Sequence, residues 1–229
     1  MIADTVMTMK NSKALKLMFF GAPGAGKGTQ AEIAARRYAI PTISTGAILR
    51  EAVAAKTELG VLAAGYMESG ALVPDDVIVG IVRDRLAMDD CKGGFILDGF
   101  PRTIAQAEAF DETGIGLSIV IDIEVEDERI IERMSGRRVC SACGETYHTV
   151  YNPSEDNVHC SKCGAELICR RDDDPEVVKK RLTTYHSETE PLREYYERRG
   201  LLKVVHGQEK LDDTTALTVG VIDDYLAGE

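Results

Sequence analysis

Apolar residues in this chain fall in short unbroken runs, separated by longer stretches with a helical period. LKLMFF, residues 15–20, shows little alternation, which predicts a strand buried on both faces. A glycine-rich turn follows, and then GTQAEIAARRY reads as a helix. Similar apolar runs recur at 94–97, 117–123 and 201–205, each followed by a helical pattern. Two further helical segments, near 45–56 and 75–88, fill the gap between the first two runs. Strands alternating with helices predict an α/β fold, a parallel sheet of about five strands with helices on both faces. From 136 to 173 the pattern breaks into Cys, Gly, Asn, Pro and polar residues without helical period, which marks an inserted module. A long helix from about Pro175 returns to the core, and Pro191 is expected to kink it. No internal repeat or low-complexity tract interrupts this order.

The 229 residues suffice for one sizeable core with one or two small insertions, and 44% apolar with 28% charged residues argues against disorder. A net charge of −11 speaks against broad nucleic-acid or anionic-membrane binding, which needs an excess of Lys and Arg. It leaves room for a small anionic substrate held by a local arginine cluster. No apolar run approaches the roughly eighteen residues of a membrane helix, and a cytoplasmic protein is expected. Residues 1–14 read as a polar leader.

GAPGAGKGT, residues 21–29, sits between the first strand and the first helix. Its glycines let successive backbone N–H groups turn around a phosphate, and the following helix adds its dipole. Lys27 supplies a mobile charge for the β- and γ-phosphates. Gly28 follows the lysine and the hydroxyl comes one residue later, at Thr29, so the loop ends differently from the general phosphate loop. FILDGFPRT, residues 95–103, is a strand ending in an acid, a turn, and an arginine opening a helix. Asp98 therefore stands at the carboxyl edge of the sheet, where it can hold Mg²⁺ through water.

Cys140-Ser-Ala-Cys143 and Cys160-Ser-Lys-Cys163 are separated by sixteen residues. Two CxxC knuckles at that spacing fit a tetrahedral four-thiolate zinc site. Four protein ligands leave no open position, so the metal reads as structural. His148 and His159 lie nearby but the thiolate set is complete, and Cys91 and Cys169 read as free thiols.

GxPGxGKGT, STGxxxR and DGFPRT, in this order and spacing, resemble the signature set of the adenylate kinases, and the likeness runs over nearly the whole chain from Lys16. The resemblance implies a P-loop NTPase-type core at 15–43, 74–135 and 174–229, an AMP-binding helical insert at 44–73 and a zinc-stapled lid at 136–173. It implies reversible phosphoryl transfer between Mg-ATP and AMP to give two ADP, in a monomer serving nucleotide homeostasis.

It implies ATP contacts from Gly24, Ala25, Gly26, Lys27, Gly28, Thr29, Arg133, Arg137, Thr146, Tyr147 and the backbone at Glu209. AMP contacts are implied for Thr45, Arg50, Ala71, Leu72, Val73, Gly99, Phe100, Pro101, Arg102, Gln106, Arg170 and Arg181, with Gln106 reading the adenine edge. The catalytic set the resemblance implies is Lys27, Asp98, Arg102, Arg137, Arg170 and Arg181, and planar guanidinium forks suit the charge spread over a transferring phosphoryl group. Asp172 and Asp173 follow Arg170 as hinge or capping residues. One position departs from the family: Ala47 stands where most members carry Asp, which leaves more of the metal's outer shell to Asp98. The nearest alternatives are a UMP/CMP kinase or a GTP-using AMP kinase, against which the long cysteine lid argues. A zinc-ribbon nucleic-acid binder is disfavoured by the acidic charge.

Overall fold

The first apolar run forms β1, Leu15–Phe20, at the centre of a five-stranded parallel sheet in the computed structural model, which describes residues 14–228. The expected leader lies outside the described residues, apart from Ala14. After β1 come α1 (Lys27–Tyr38), β2 (Thr42–Ser44), α2 (Thr45–Ala54), α3 (Glu58–Ser69) and α4 (Asp75–Leu86). Next are β3 (Gly94–Asp98), α5 (Ile104–Glu112), β4 (Ile119–Glu124) and α6 (Asp127–Gly136). A small antiparallel sheet follows, made of β5 (Arg137–Cys140), β6 (Thr146–His148) and β7 (Leu167–Ile168). The chain returns through α7 (Pro175–Thr184), α8 (Leu192–Glu197), β8 (Leu202–His206) and α9 (Leu211–Ala227).

The large sheet has the order β2-β3-β1-β4-β8, with β1 pairing in parallel to both β3 and β4. Its three central strands, β3, β1 and β4, are buried on both faces, as their unbroken apolar runs require, whereas the edge strand β8 is largely exposed. Met18, Phe20, Phe95, Leu97 and Val120 face one layer of helices, whereas Leu17, Phe19, Ile96, Ile119 and Ile121 face the other. This register brings Phe20 beside Asp122 and Phe19 beside Asp98, so both acids flank the start of the glycine-rich turn.

Two elements have little signal in the linear pattern. β2 is only three residues long and takes its identity from pairing with β3. α3 has apolar residues on most sides, and Val61 and Leu62 are exposed, so its period is blurred. It packs tightly on α2: a Cβ at Gly60 would lie 2.1 Å from the Ala52 carbonyl oxygen, so only glycine permits that approach. The expected kink takes the form of a π-turn, Tyr185–Thr189, in which Glu190 N–H donates to the Tyr185 oxygen at 2.8 Å. Pro191 follows and opens α8, because it cannot continue the hydrogen-bond ladder.

Candidate functional site

The carboxyl edge of the sheet gathers the charged residues. Between β1 and α1 the turn winds through Gly21, whose φ of +127° and whose approach to Ile123 exclude any side chain; a Cβ there would lie 2.5 Å from the Ile123 oxygen. Lys27, the first residue of α1, folds back so that Nζ donates to the Gly21 and Ala22 carbonyl oxygens, both at 2.8 Å. Burial pushes its pKa down to about 8, with Arg102 and Arg181 adding to the depression and Asp98 opposing it.

Asp98 ends β3 and accepts a hydrogen bond from the Ser44 hydroxyl at 3.1 Å. A Cβ on Gly28 would lie 3.6 Å from its Oδ2, so the acid looks onto the loop at the residue after the lysine. Ser44 also caps α2 by accepting from Ala47 N–H at 3.4 Å. Ala47 itself is exposed in the first turn of that helix.

A cleft beside this loop is lined by Lys27, Thr45, Arg50, Arg102, Gln106 and Arg181 together with the turn at 70–73. Thr45 Oγ1 donates to the Gly99 oxygen at 2.8 Å, and Arg102 Nε donates to the same oxygen at 2.8 Å. Burial pulls the pKa values of Arg50 and Arg102 below the arginine norm. Arg170 and Arg181 are pulled to about 10, again by burial first, and the guanidinium groups repel one another: Arg170 feels Arg50 and Arg137, Arg181 feels Arg102 and Arg137. Since arginine does not release its proton in proteins, this mutual stress is an attraction for anions.

Asp172 and Asp173 are more than hinge caps. Arg137, at the start of β5, grips the buried Asp173 with both Nε, at 2.8 Å, and a terminal nitrogen. Arg181 on α7 donates to Asp172 Oδ2 at 2.8 Å. The first pair ties the two ends of the insert to each other, and the second ties its C-terminal end to α7 of the core.

Sequence reading missed Asp122 and Asp75. Asp122 is 2% exposed, lies 3.5 Å from Arg193 and is pushed up to about 6 by burial. The cue that singled out Asp98, an acid near the end of a central strand, was available for it too. Asp75 had no cue beyond its place in the first turn of α4, since its partners are 28 and 31 residues away.

The residues expected around the second nucleotide are more spread. Arg133 on α6 donates to the Gln208 oxygen at 2.8 Å and reaches the Ala25 oxygen at 3.5 Å, so it joins the phosphate turn to the segment that carries Glu209. Thr146 and Tyr147 sit on β6 in the small sheet. The buried Tyr147 ring points inward, with its hydroxyl 3.3 Å from Cys160 Sγ, leaving only its backbone for a nucleotide.

The four cysteines of the small sheet converge, all Sγ atoms lying within 4.8 Å of one another. The Cys140–Cys163 and Cys143–Cys160 sulfurs are 3.4 and 3.6 Å apart. Tetrahedral thiolates about 2.3 Å from zinc stand about 3.8 Å from each other, so the cluster fits that ion. Cys143 N–H also points at Cys140 Sγ, at 3.4 Å, as thiolate knuckles require.

Comparison with known proteins agrees with this geometry. The family model described as adenylate kinase matches residues 19–201. The adenylate kinase of Caldicellulosiruptor bescii is 56% identical over 205 residues, covering 88% of this chain and 95% of its own. Those of Acetivibrio thermocellus and Agathobacter rectalis are 55% and 50% identical, covering 88% and 92% of this chain and 94% and 100% of theirs. With matches of this extent, and with the phosphate turn, the arginine cluster and the cysteine-stapled insert in one fold, the chain belongs to the adenylate kinase family.

Proposed function

We propose that this chain catalyses reversible transfer of the γ-phosphoryl group of Mg-ATP to AMP, giving two ADP. The observation that carries this reading is the convergence of Lys27, Arg50, Arg102 and Arg181 on one cleft at the edge of the sheet, with Arg137 and Arg170 near enough to repel its arginines. An AMP phosphate oxygen attacks the γ-phosphorus in line while its bond to the β–γ bridging oxygen breaks. Charge then spreads over the transferring group, and the arginines stabilise it. Arg50 and Arg102 hold the AMP phosphate, and Lys27 with the loop 24–29 holds that of ATP. Arg137 and Arg170 approach from the inserted sheet, which acts as a lid excluding the water that would otherwise accept the phosphoryl group. Arg181 bridges the two sites. Asp98 orders the waters of the substrate's Mg²⁺.

The turn at 71–73 and residues 99–102 flank AMP, with Thr45 below it and Gln106 at the base. Arg133 and the Glu209 backbone meet the ATP adenine; Thr146 and the Tyr147 backbone complete that site from the lid. Cys140, Cys143, Cys160 and Cys163 hold zinc, which supplies cross-linking to the lid and takes no part in transfer. The division into core, 44–73 insert and 136–173 lid follows from these roles. A monomer in the cytoplasm is the setting proposed, consistent with no helix among the described residues being long and apolar enough to cross a membrane.

A coupled assay of ADP formation from AMP and Mg-ATP tests the reading, with CMP, UMP and GMP as rival acceptors and GTP as rival donor. Preference for a pyrimidine acceptor or for GTP would replace it.

A further inference from the structure

The amide of Gln106 is held from both ends. Asp75, the first residue of α4, accepts from Gln106 Nε2 through Oδ1 at 2.7 Å and from Thr103 Oγ1 through Oδ2 at 3.1 Å. Thr103 in turn caps α5 by accepting from Gln106 N–H at 3.1 Å. At the other end of the amide, the Arg102 backbone N–H donates to Gln106 Oε1 at 2.7 Å. A backbone N–H can only donate and a carboxylate can only accept, so the network fixes which end is oxygen. Turning the amide by half a revolution would set N–H₂ against N–H and oxygen against carboxylate. Gln106 is 1% exposed, so water does not relieve either clash.

A primary amide has two acceptor lone pairs and two N–H groups. One of each is spent on Arg102 and Asp75, which leaves one acceptor and one donor in a fixed arrangement at the cleft wall. We infer that Asp75 is a positioning residue that sets the base polarity of the acceptor site. With the Arg102 N–H, it locks Gln106 to fit a purine edge whose exocyclic amino group donates beside an accepting ring nitrogen. An edge with a carbonyl beside a ring N–H meets oxygen with oxygen and N–H with N–H. A freely turning amide would serve both edges, and the lock is what turns a glutamine into a discriminator. The inference rests on the reading above, in which Gln106 meets the acceptor base.

IMP is the natural probe, because it matches AMP in shape and phosphate but reverses the edge. The measurement is the ratio of kcat/KM for AMP to that for IMP, in the wild type, Asp75→Asn, Asp75→Ala and Gln106→Ala. The asparagine amide accepts or donates and so tolerates either orientation of Gln106 on its own side, leaving only the Arg102 N–H to oppose the turn; the alanine removes the partner. Both Asp75 variants are expected to lower the ratio about tenfold or more, the size of one lost hydrogen bond to a charged group. The ratio is taken on one preparation, so the fraction of folded enzyme cancels, as does any effect of net charge on the phosphate the two acceptors share. A ratio collapsed in Gln106→Ala but unchanged in both Asp75 variants overturns the lock and leaves Gln106 as the base reader. A ratio unchanged in Gln106→Ala removes Gln106 from the base site, and the lock with it.

Discussion

Lys27 carries the sharpest consequence of burial at a single residue. Only its ammonium form binds phosphate, and its pKa of about 8 belongs to the protein without a nucleotide beside it. kcat/KM for ATP reports the enzyme before ATP binds, so it is expected to fall as pH rises through about 8. Bound phosphate favours the ammonium, so the alkaline limb of kcat should lie higher. A pH profile at saturating AMP checks both limbs, and a kcat/KM that stays flat beyond about pH 9.5 would refute the assignment. Ala47 offers a second test at this scale. It is exposed beside Ser44, whose hydroxyl touches Asp98, so an acid there stands near the metal's waters. Ala47→Asp should lower the Mg²⁺ concentration for half-maximal rate by roughly tenfold, the worth of a water-mediated hydrogen bond to a charged group. The same acid in the first turn of α2 should raise stability by about 0.3–1 kcal/mol. Superimposable Mg²⁺ titrations of the two proteins would show that another group already fills the role.

Among the elements, the cysteine-stapled sheet has the least core of its own. Its strands span four, three and two residues, and its buried cluster is Cys140, Tyr147, Cys160 and Leu167 with Ala165 against it. So small a cluster cannot offset the conformational entropy of some forty residues, and the proposed zinc would supply the difference. Chelating the metal should therefore split thermal unfolding into an early lid transition and a later core transition by calorimetry. Phosphoryl transfer should persist below the first transition, because the thiolates leave the metal no open position for substrate. Immediate loss of activity in a still-folded metal-free protein would contradict a structural metal.

For the whole molecule, the lid is fastened where its two ends meet. Arg137 opens the insert, Asp173 closes it, and the pair is largely buried, with Asp173 only 4% exposed. Arg137→Ala removes the charge proposed to meet the transferring phosphoryl group and also leaves Asp173 with Arg181 at 3.9 Å as its remaining partner. Turnover should fall about 10²–10³-fold, and stability by about 1–3 kcal/mol from the stranded carboxylate. Adding Asp173→Asn should recover most of the stability and none of the turnover. Recovery of both would make Arg137 a strut rather than a catalytic group. The exposed Arg171–Glu68 pair, which also links the insert to α3, adds little because solvent screens it.

The arginines came from the resemblance to the adenylate kinases; the chain's linear pattern by itself was enough for the alternation of strands and helices, the phosphate turn, the strand-end Asp98 and the cysteine knuckles. Each of these depends on neighbours within a few residues, or on a spacing that recurs because the chemistry demands it. The sequence also placed the break near Pro191, since the cause is local to that ring. Tertiary structure alone decided the rest. β2 exists because β3 lies beside it, and α3 because α2 offers a surface close enough to need Gly60. The Tyr147 ring turns toward Cys160 because it completes the core of the small sheet. Asp172 and Asp173 pair with Arg181 and Arg137 across the fold, and Asp75 meets Gln106 across 31 residues of chain. A hydrogen-bond partner far along the chain leaves no periodicity to read, because folding, not spacing, sets the distance between them.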